Sequence, residues 1–158
     1  MQRTFGFEVD EELYYLAGFF DGEGSVMVLG GKADRARLAV TASQVVRWPL
    51  ERFQARFGGR IGLNKSRGNR RPSYQWICSD VTAYRFLCTL APYLVVKKEV
   101  ATLGLRYYEA AVAPRGGRRS VTPQAMALGK NLAQRIKGLN AKGRTGFVRQ
   151  VEAGPYLH

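Results

Sequence analysis

Histidine is almost absent from this sequence: the only one is His158, the last residue. Its absence elsewhere excludes histidine-ligated zinc sites, serine–histidine and cysteine–histidine nucleophile pairs, and nucleases that use a histidine base. The two cysteines, Cys78 and Cys88, lack the spacing of a metal site, and we expect both to be reduced thiols in the core. Any hydrolytic chemistry must therefore use carboxylates, lysine and a hard metal ion.

Long apolar runs are also absent. The longest, residues 13–20, is far shorter than the roughly 18 residues that a membrane-spanning helix needs. Residues 1–10 lack the apolar centre of a signal peptide, and we see no other targeting segment. We therefore expect no membrane partner, and a location in the cytoplasm of a prokaryote or, if organelle-encoded, in the matrix or stroma. The 158 residues suit one domain with a real core.

Acidic residues are few and unevenly placed. The chain has 12 Asp and Glu against 25 Lys and Arg, a net charge of +13. No acid lies between Glu51 and Asp80, or between Glu109 and Glu152, and the second span holds nine lysines and arginines. Such clustering favours a polyanionic partner, nucleic acid first and an acidic membrane surface second. The alternative, a charged face that only keeps the protein solvated, explains the clustering less well.

Hydrophobic periodicity predicts the element order α-β-β-α-β-β-α over residues 10–113. Asp10 can cap the first helix, whose residues 13–20 are apolar on nearly all sides and are predicted to be buried all round. The predicted strands are 25–29, 35–41, 60–65 and 73–79, and the later helices are 48–57, 81–90 and 97–113. We expect Asp80 to cap the helix that follows it, and Val81, Tyr84, Leu87 and Cys88 to face inward.

A change of composition follows residue 113. The stretch APRGGRRS is predicted to be a basic linker, followed by a helix from Pro123 to about Leu139 and a glycine-broken basic tail. We divide the chain into a core of residues 1–113 and a linker, helix and tail of residues 114–158, within the same domain.

The stretch YLAGFFDGEGSV, residues 15–26, ends an apolar helix on two acids. The helix dipole disfavours carboxylates at a C-terminus, and a bound cation removes the conflict. Glu23 and the carbonyl of Gly22 could form part of a magnesium site, completed by waters and phosphates. One carboxylate is a poor site alone, so two copies on a two-fold axis would suit it better. Gly18 and Gly22 would allow a close approach of two backbones, although ordinary packing within the chain explains them equally well.

This stretch resembles the signature of the LAGLIDADG homing endonucleases, with the Gly-x-x-Asp-Gly-Glu-Gly core intact. The predicted element order is also that of the family's αββαββα core, and RIKGLNAKGR is similar to a basic C-terminal segment of its single-motif members. A second signature is absent, so the resemblance is to the single-motif, homodimeric type. It implies an α+β fold in which a four-stranded antiparallel sheet forms a DNA-binding saddle, with extra C-terminal helices.

The function implied by this resemblance is that of a site-specific homing endonuclease encoded with an intron. A homodimer would read a long, near-palindromic double-stranded DNA site through β-hairpins in the major groove and cut both strands. The implied cofactor is Mg²⁺, whose sites Mn²⁺ or Ca²⁺ can also occupy, and no organic cofactor is implied. The alternatives are an RNA maturase or a non-cleaving DNA-binding regulator on the same fold. A basic ribosome-associated structural protein would explain the charge but not the two acids.

Three positions match the family's catalytic pattern. Glu23 matches the acid that binds metal, together with the carbonyl of Gly22. Gln44, in VTASQVV, matches a polar residue near the attacking water. Lys97, in PYLVVKKEVATL, matches a basic residue beside the scissile phosphate and is favoured over Lys98 by its spacing from the preceding proline. The alternatives are an exposed acid at a helix end and a surface lysine at a helix start.

Two further groups of residues follow from the same resemblance. The motif helices pack together at the dimer centre, where Asp21 matches an acid that is structural; the expected interface residues are Ala17, Gly18, Asp21 and Gly22. Strand alternation places DNA-reading side chains on the open face of the sheet, where arginine suits guanine and glutamine suits adenine. The expected reading residues are Met27, Leu29, Arg35, Arg37, Ala39, Thr41, Arg60, Asn64, Gln75 and Ile77.

The remaining basic side chains are expected to contact the DNA backbone rather than the bases. They are Lys65, Arg67, Arg70 and Arg71 around the second hairpin loop, and Lys142 and Arg144 near the C-terminus. The sequence leaves two strand registers after the 66–72 loop, which differ by one residue. A slip of one would turn Tyr74 and Trp76 towards DNA, whereas we expect Trp76 in the core.

Overall fold

The structure is a computed structural model that describes residues 10–30, 36–65, 71–116 and 122–152. Its main elements are α1 (Glu11–Glu23), β1 (Gly24–Leu29), β2 (Arg37–Gln44), α2 (Trp48–Phe57), β3 (Arg60–Asn64), β4 (Ser73–Ser79), α3 (Val81–Leu90), α4 (Lys98–Tyr107) and α5 (Pro123–Glu152). A π-helical turn, Tyr108–Val112, continues α4, and 3₁₀ turns occupy Ala91–Tyr93 and Ala113–Gly116. The predicted order α-β-β-α-β-β-α is confirmed.

The four strands form one antiparallel sheet in the order β1-β2-β4-β3. The two hairpins therefore meet along β2 and β4, where Ala42 pairs with Trp76 and Val40 pairs with Cys78. These four side chains belong to the buried core, so the helices cover that face of the sheet. The α+β class and the four-stranded antiparallel sheet are confirmed.

Aromatic side chains from three elements fill the centre of the core. Phe53 of α2, Trp76 of β4 and Phe86 of α3 are fully buried, with ring centroids 5.1 Å apart for Phe53–Trp76 and for Trp76–Phe86. The indole N–H of Trp76 donates to the Gly58 carbonyl at 2.8 Å. Truncating such a ring to alanine costs about 3–5 kcal/mol, so these contacts hold the helix layer on the sheet. The expected burial of Trp76 is confirmed.

Helix α3 turns a different face inward from the one that we predicted. Ala83, Phe86, Leu87 and Leu90 are buried, at helical spacings i, i+3, i+4 and i+7. The predicted core residues Val81 and Cys88 are exposed, and Tyr84 is half-buried. Of the four predicted residues only Leu87 belongs to this buried stripe. Val81 and Cys88 each lie two positions from a buried residue, Ala83 and Phe86 respectively, and therefore point towards the opposite side of the helix. Of the two cysteines only Cys78 is a core residue, and burial raises the pKa of its thiol to about 12.

Helix α5 is longer than the predicted 123–139 and continues to Glu152. Leu132 and Ile136 are buried in the core, and the Asn140 side-chain amide donates to the Val26 carbonyl of β1 at 2.8 Å. These tertiary contacts outweigh the low helix propensity of the glycines, about 1 kcal/mol each. They also join the C-terminal helix to β1 and to the core. None of the described helices is long and apolar enough to cross a membrane.

Candidate active site and nucleic-acid interface

The N-terminal end of α1 is held by charges of the correct sign. The Asp10 carboxylate accepts the Leu13 N–H at 3.2 Å, which confirms the predicted cap. Asp10 and Glu12 also pair with Arg56 of α2, the Glu12–Arg56 contact measuring 2.9 Å, and Glu12 pairs with Arg52 at 2.9 Å. The hydrogen bond from Arg56 lowers the pKa of Asp10, and the same bond raises the pKa of Arg56.

Helix α1 has one buried face and one open face, so the expectation of burial all round is wrong. Leu16, Ala17 and Phe20 are at most 1% exposed. Tyr14 and Tyr15, in contrast, are 57% and 40% exposed. Ala17 therefore packs in its own chain's core and has almost no surface left to form an interface. Only one side of helix α1 packs against the sheet and the other helices, and its other side faces outward.

The two glycines of the motif lie on the open side of α1. A Cβ atom added at Gly18 or Gly22 would have no described atom within 4 Å. We considered close packing within the chain as the alternative explanation for these glycines. The described packing does not require a glycine at either position. Gly24, in contrast, leaves no room for a Cβ because the Phe20 ring lies against that position.

Asp21 connects the C-terminal end of α1 to the segment before α4. Its carboxylate accepts the backbone N–H of Val95 at 2.8 Å and that of Lys97 at 2.9 Å. The Lys97 ammonium in turn donates to the Asp21 backbone carbonyl. We expected Asp21 to serve a pair of helices at a dimer interface, and the described contacts of its side chain are instead within the chain. The sequence could not indicate this role, because 74 residues separate Asp21 from Val95.

Lys97 is thereby placed beside the end of the motif helix. Its side chain is half-buried, and this burial lowers the pKa of the ammonium, while the negative charges of Asp21 and Glu23 act in the opposite direction. Lys98 is exposed, and its side chain makes no described hydrogen bond or ion pair. The structure thus brings Lys97, rather than its neighbour, to the two acids.

Glu23 is the last residue of α1, and its side chain is exposed. Among the residues that the structure describes, it has no hydrogen-bond or ion-pair partner, and the last turn of α1 contains no basic residue. Gly24 pairs with Ala42 in the sheet, so Glu23 lies at the end of the β1–β2 ladder where Gln44 also lies. Gln44 is half-buried, and its side-chain oxygen accepts the Val45 N–H at 2.8 Å. Glu23, Gln44 and Lys97 are therefore near one end of the sheet.

The donor set at this end suits a hard cation only in part. No group of three or more His, Cys, Asp or Glu side chains that could hold a metal occurs in the described parts of the chain. Asp21 accepts two backbone N–H groups, whereas the Glu23 carboxylate has no described partner and has the Gly22 carbonyl adjacent. Mg²⁺ commonly binds one or two carboxylates and completes its shell with waters and phosphates. The residues present fit such a half-site.

The opposite face of the sheet from the helices is open, and the strand register shows which side chains share it. Ile77 pairs with Thr41 and with Arg60, and Gln75 pairs with Ser43 and Gly62. Directly opposed residues point to the same face of a sheet. The register thus settles the parity after the 66–72 loop in favour of Gln75 and Ile77, with Trp76 on the core side.

Two of the expected reading residues are on this face but are not accessible. Ala39 and Thr41 are 0% and 5% exposed. They are small residues of the central strand β2, and Met27 and Ile77, their larger neighbours on β1 and β4, flank them. We therefore correct the expectation that they contact DNA directly.

The other predicted contacts divide into three groups. Exposed or half-buried positions on the open face and its edges are Met27, Leu29, Arg37, Arg60, Asn64, Lys65, Arg71, Gln75 and Ile77. The predicted residues Arg35, Arg67 and Arg70 lie outside the described residues. Lys142 and Arg144 lie in α5, but their side chains are outside the described part.

Sequence reasoning missed the surroundings of Arg37. Its Nε–H donates to the Asp80 carboxylate at 2.8 Å, and an Nη2–H donates to the Ser79 hydroxyl at 2.7 Å. Asp80 precedes α3, but its side chain makes no capping hydrogen bond, contrary to the predicted cap. The sequence signal that could have indicated this contact was Asp80 itself, the isolated acid that follows the acid-free residues 52–79.

No protein-family model matches the sequence, and the search of curated proteins found no significant match. Solved structures do match. The chain is similar to the homing endonuclease I-CvuI in complex with its target, at 19% identity over 82% of each chain, with a TM-score of 0.64. It is also similar to the archaeal intron-encoded homing endonuclease I-Vdi141I complexed with DNA, at 22% identity over 82% of this chain and 84% of that one, with a TM-score of 0.67.

A third similar structure belongs to a longer protein. For the LAGLIDADG homing endonuclease I-SmaMI bound to cleaved DNA, the match covers 77% of this chain but only 42% of that one, at 16% identity and a TM-score of 0.57. The element order, the antiparallel sheet and the helix that ends on Asp21 and Glu23 agree with these similarities. The chain therefore has the fold of the LAGLIDADG homing endonucleases.

Proposed function

We propose that this protein is a site-specific endonuclease that binds double-stranded DNA on the open face of its sheet and hydrolyses both strands. The observation that carries the proposal is the end of α1, where the unpaired carboxylate of Glu23 lies near the Lys97 ammonium and beside one end of a basic, open sheet. The helix dipole opposes an acid at a helix C-terminus, and a nearby cation removes this opposition. DNA phosphates and a divalent ion would supply both missing partners.

Double-stranded DNA is the partner that the open face fits best. An antiparallel β-ribbon enters the major groove, which is about 12 Å wide, and its side chains reach the base edges there. The accessible side chains of this face include Arg37, Asn64 and Gln75, whose residue types read bases by paired hydrogen bonds, and Arg60, which adds positive charge beside them. The similar structures of I-CvuI and I-Vdi141I hold DNA, and we extend that partner to this chain.

A homodimer would complete the site. The open face of α1 presents Gly18 and Gly22, where a second backbone can approach without displacing any described atom. Most of this chain matches less than half of I-SmaMI, so this chain corresponds to one part of that longer protein. A second copy of this chain would supply the other part. Two-fold symmetry would then bring two Glu23 carboxylates together and make the recognised DNA site near-palindromic.

The chemistry of the site follows from the positions of three side chains. Glu23 and the Gly22 carbonyl would hold Mg²⁺, for which Mn²⁺ or Ca²⁺ can substitute, and the bound ion would supply charge neutralisation at the phosphate and a more acidic water. Lys97, held by Asp21, would place its positive charge beside the scissile phosphate. Gln44 would orient a water through its side-chain amide. No histidine is required for these roles.

The proposal is tested by selecting cut sites from a randomised double-stranded DNA library in the presence of magnesium. We expect an inverted repeat of two half-sites to be recovered and both strands to be cut. Recovery of bound but uncut DNA would instead favour the non-cleaving regulator, and binding of an intron RNA without DNA cleavage would favour the maturase. Association with intron homing is part of the proposal and is checked by asking whether the coding frame lies inside an intron.

A further inference from the structure

Arg37 is the one base-reading candidate on the described open face whose side chain is held by other side chains. The Asp80 carboxylate accepts its Nε–H at 2.8 Å, and the Ser79 hydroxyl accepts an Nη2–H at 2.7 Å. The Arg37 side chain nevertheless remains 60% exposed. It is thus fixed in orientation without being removed from the surface.

The two bonds use one edge of the guanidinium. Nε–H and the adjacent Nη2–H form the side edge of this planar group, which carries five donors in a rigid fork. The end edge, with one hydrogen on each Nη nitrogen, has no described partner. Two parallel donors at this edge match the O6 and N7 acceptors of guanine in the major groove.

Asp80 has the features expected of a residue that positions the Arg37 side chain. It is the only described residue other than glycine with a positive φ, at 52°, a conformation that commonly marks functional sites. Its backbone is pinned on both sides, since its N–H donates to the Leu38 carbonyl and its carbonyl accepts the Tyr84 N–H, each at 2.8 Å. Its second carboxylate oxygen, Oδ1, is buried without a described hydrogen-bond partner. An exposed ion pair contributes too little stability to explain such a residue.

Arg60 and Arg71 provide the contrast. Both are exposed on or beside the same face, and neither side chain has a hydrogen-bond or ion-pair partner among the described residues. Side chains without such support keep their rotamer freedom and suit phosphates, which need charge more than orientation. Arg37 therefore differs from them in preorganisation rather than in charge.

We propose that Arg37 is the specificity-determining residue for one guanine in each half-site and that Asp80 and Ser79 are its positioning residues. The inference rests on the proposed DNA-binding function and deepens it. It predicts a single G·C pair at the place in the half-site that the Arg37 end of β2 reaches. It also predicts that removing a positioning residue reduces discrimination at that pair without reducing non-specific affinity.

The experiment is a selection of bound sequences from a randomised DNA library, without magnesium, using the full-length protein and four variants. Arg37→Gln should change the base preference at one position per half-site and reduce the preference for guanine there by about 10-fold or more, as expected for loss of a bidentate contact. Asp80→Asn and Ser79→Ala should reduce the preference at the same position by about 3- to 10-fold and leave the affinity for a random duplex unchanged. Thermal unfolding shows whether each variant folds; Ser79→Ala alone carries the test if Asp80→Asn does not.

Arg60→Gln is the matched control, because it removes an unsupported arginine from the same face. It should weaken binding to all sequences about equally and reduce the salt dependence of binding by about one counterion. The proposal is overturned if folded Asp80→Asn and Ser79→Ala leave every position unchanged, or if they raise affinity for all sequences, since Asp80 would then only compete with DNA for Arg37. A wild-type protein that selects no sequence at all would refute the proposed function itself, which is a different outcome.

Discussion

The two ends of helix α1 place acids in opposite electrostatic environments. At the N-terminal end, Asp10 and Glu12 lie where the helix dipole favours negative charge, and Arg52 and Arg56 pair with them. At the C-terminal end, Glu23 lies where the dipole disfavours it, and it has no described partner although the chain carries a net charge of +13. Stability thus explains the first pair of acids, whereas no described contact explains Glu23.

The largest effect should come from Glu23→Gln. We expect magnesium-dependent cleavage to fall by more than about 100-fold, because even outer-shell partners of a catalytic metal contribute 10- to 100-fold. Specific DNA binding without metal should persist. Removal of an unfavourable charge at the helix end should also raise the free energy of unfolding by about 0.3–1 kcal/mol.

Glu11→Gln is the matched control for this change, since Glu11 is an exposed acid in the first turn of the same helix. It should leave cleavage unchanged and slightly lower stability. Cleavage assays on a selected site and denaturant unfolding measure both effects. Normal cutting by Glu23→Gln would show that the metal assignment is wrong.

Gly18→Leu should separate the proposed dimer. A side chain at this position meets no described atom of its own chain, so the subunit should still fold, while a second α1 could no longer approach closely. Sedimentation should show a monomer, and cleavage of both strands should be lost. Gly138→Leu in α5 is the control, because it also enters open space on a helix. An unchanged dimer in Gly18→Leu would contradict the helix interface.

Asp21→Asn separates the roles of the two acids. An amide offers one acceptor oxygen and turns its NH₂ towards a backbone N–H, so one of the bonds to Val95 and Lys97 should be lost. We expect a loss of about 0.5–1.5 kcal/mol in the free energy of unfolding, the net contribution of one hydrogen bond at a partly exposed position. Hydrogen exchange should accelerate at the Val95 and Lys97 amides. Glu23→Gln serves as the comparison, and equal stability of the two variants would mean that Asp21 does not hold this segment.

The smallest effect should come from Asp10→Asn. Asparagine caps a helix as well as aspartate does, so only the ion pair with Arg56 is removed. Because the pKa of Asp10 is lowered in the folded state, its stabilising effect is present at neutral pH and is lost as the pH falls below about 3.8. A small decrease in melting temperature at pH 7 should therefore disappear in acid. A difference that persists at low pH would show that the cap, rather than the ion pair, is affected.

Local pattern predicted the elements well and their contacts less well. The motif, the alternation of the strands and the turn residues indicated the αββαββα order, and the limits of β4 agree with the structure to the residue. The errors concern which side of an element meets the core. The exposed tyrosines of α1 and the inward face of α3 depend on where neighbouring elements pack, and a single element's periodicity does not contain that information. The predicted end of α5 is too early because the glycines after Leu139 indicate a break, whereas the helix continues through them to Glu152.

By itself the sequence determined the charge of the surface, the absence of histidine chemistry and the order of helices and strands. It also determined the two acids at the end of the motif helix. These features depend only on composition and on residues that are neighbours in the chain. Only the tertiary structure decided that the carboxylate of Asp21 holds the backbone of residues 95–97, that Lys97 lies beside it, and that Asp80 orients Arg37 from 43 residues away. Hydrogen bonds between residues so far apart exist only after the sheet has brought its strands and helices together. The same folding step leaves Glu23 without a described partner, which is the observation that points to function.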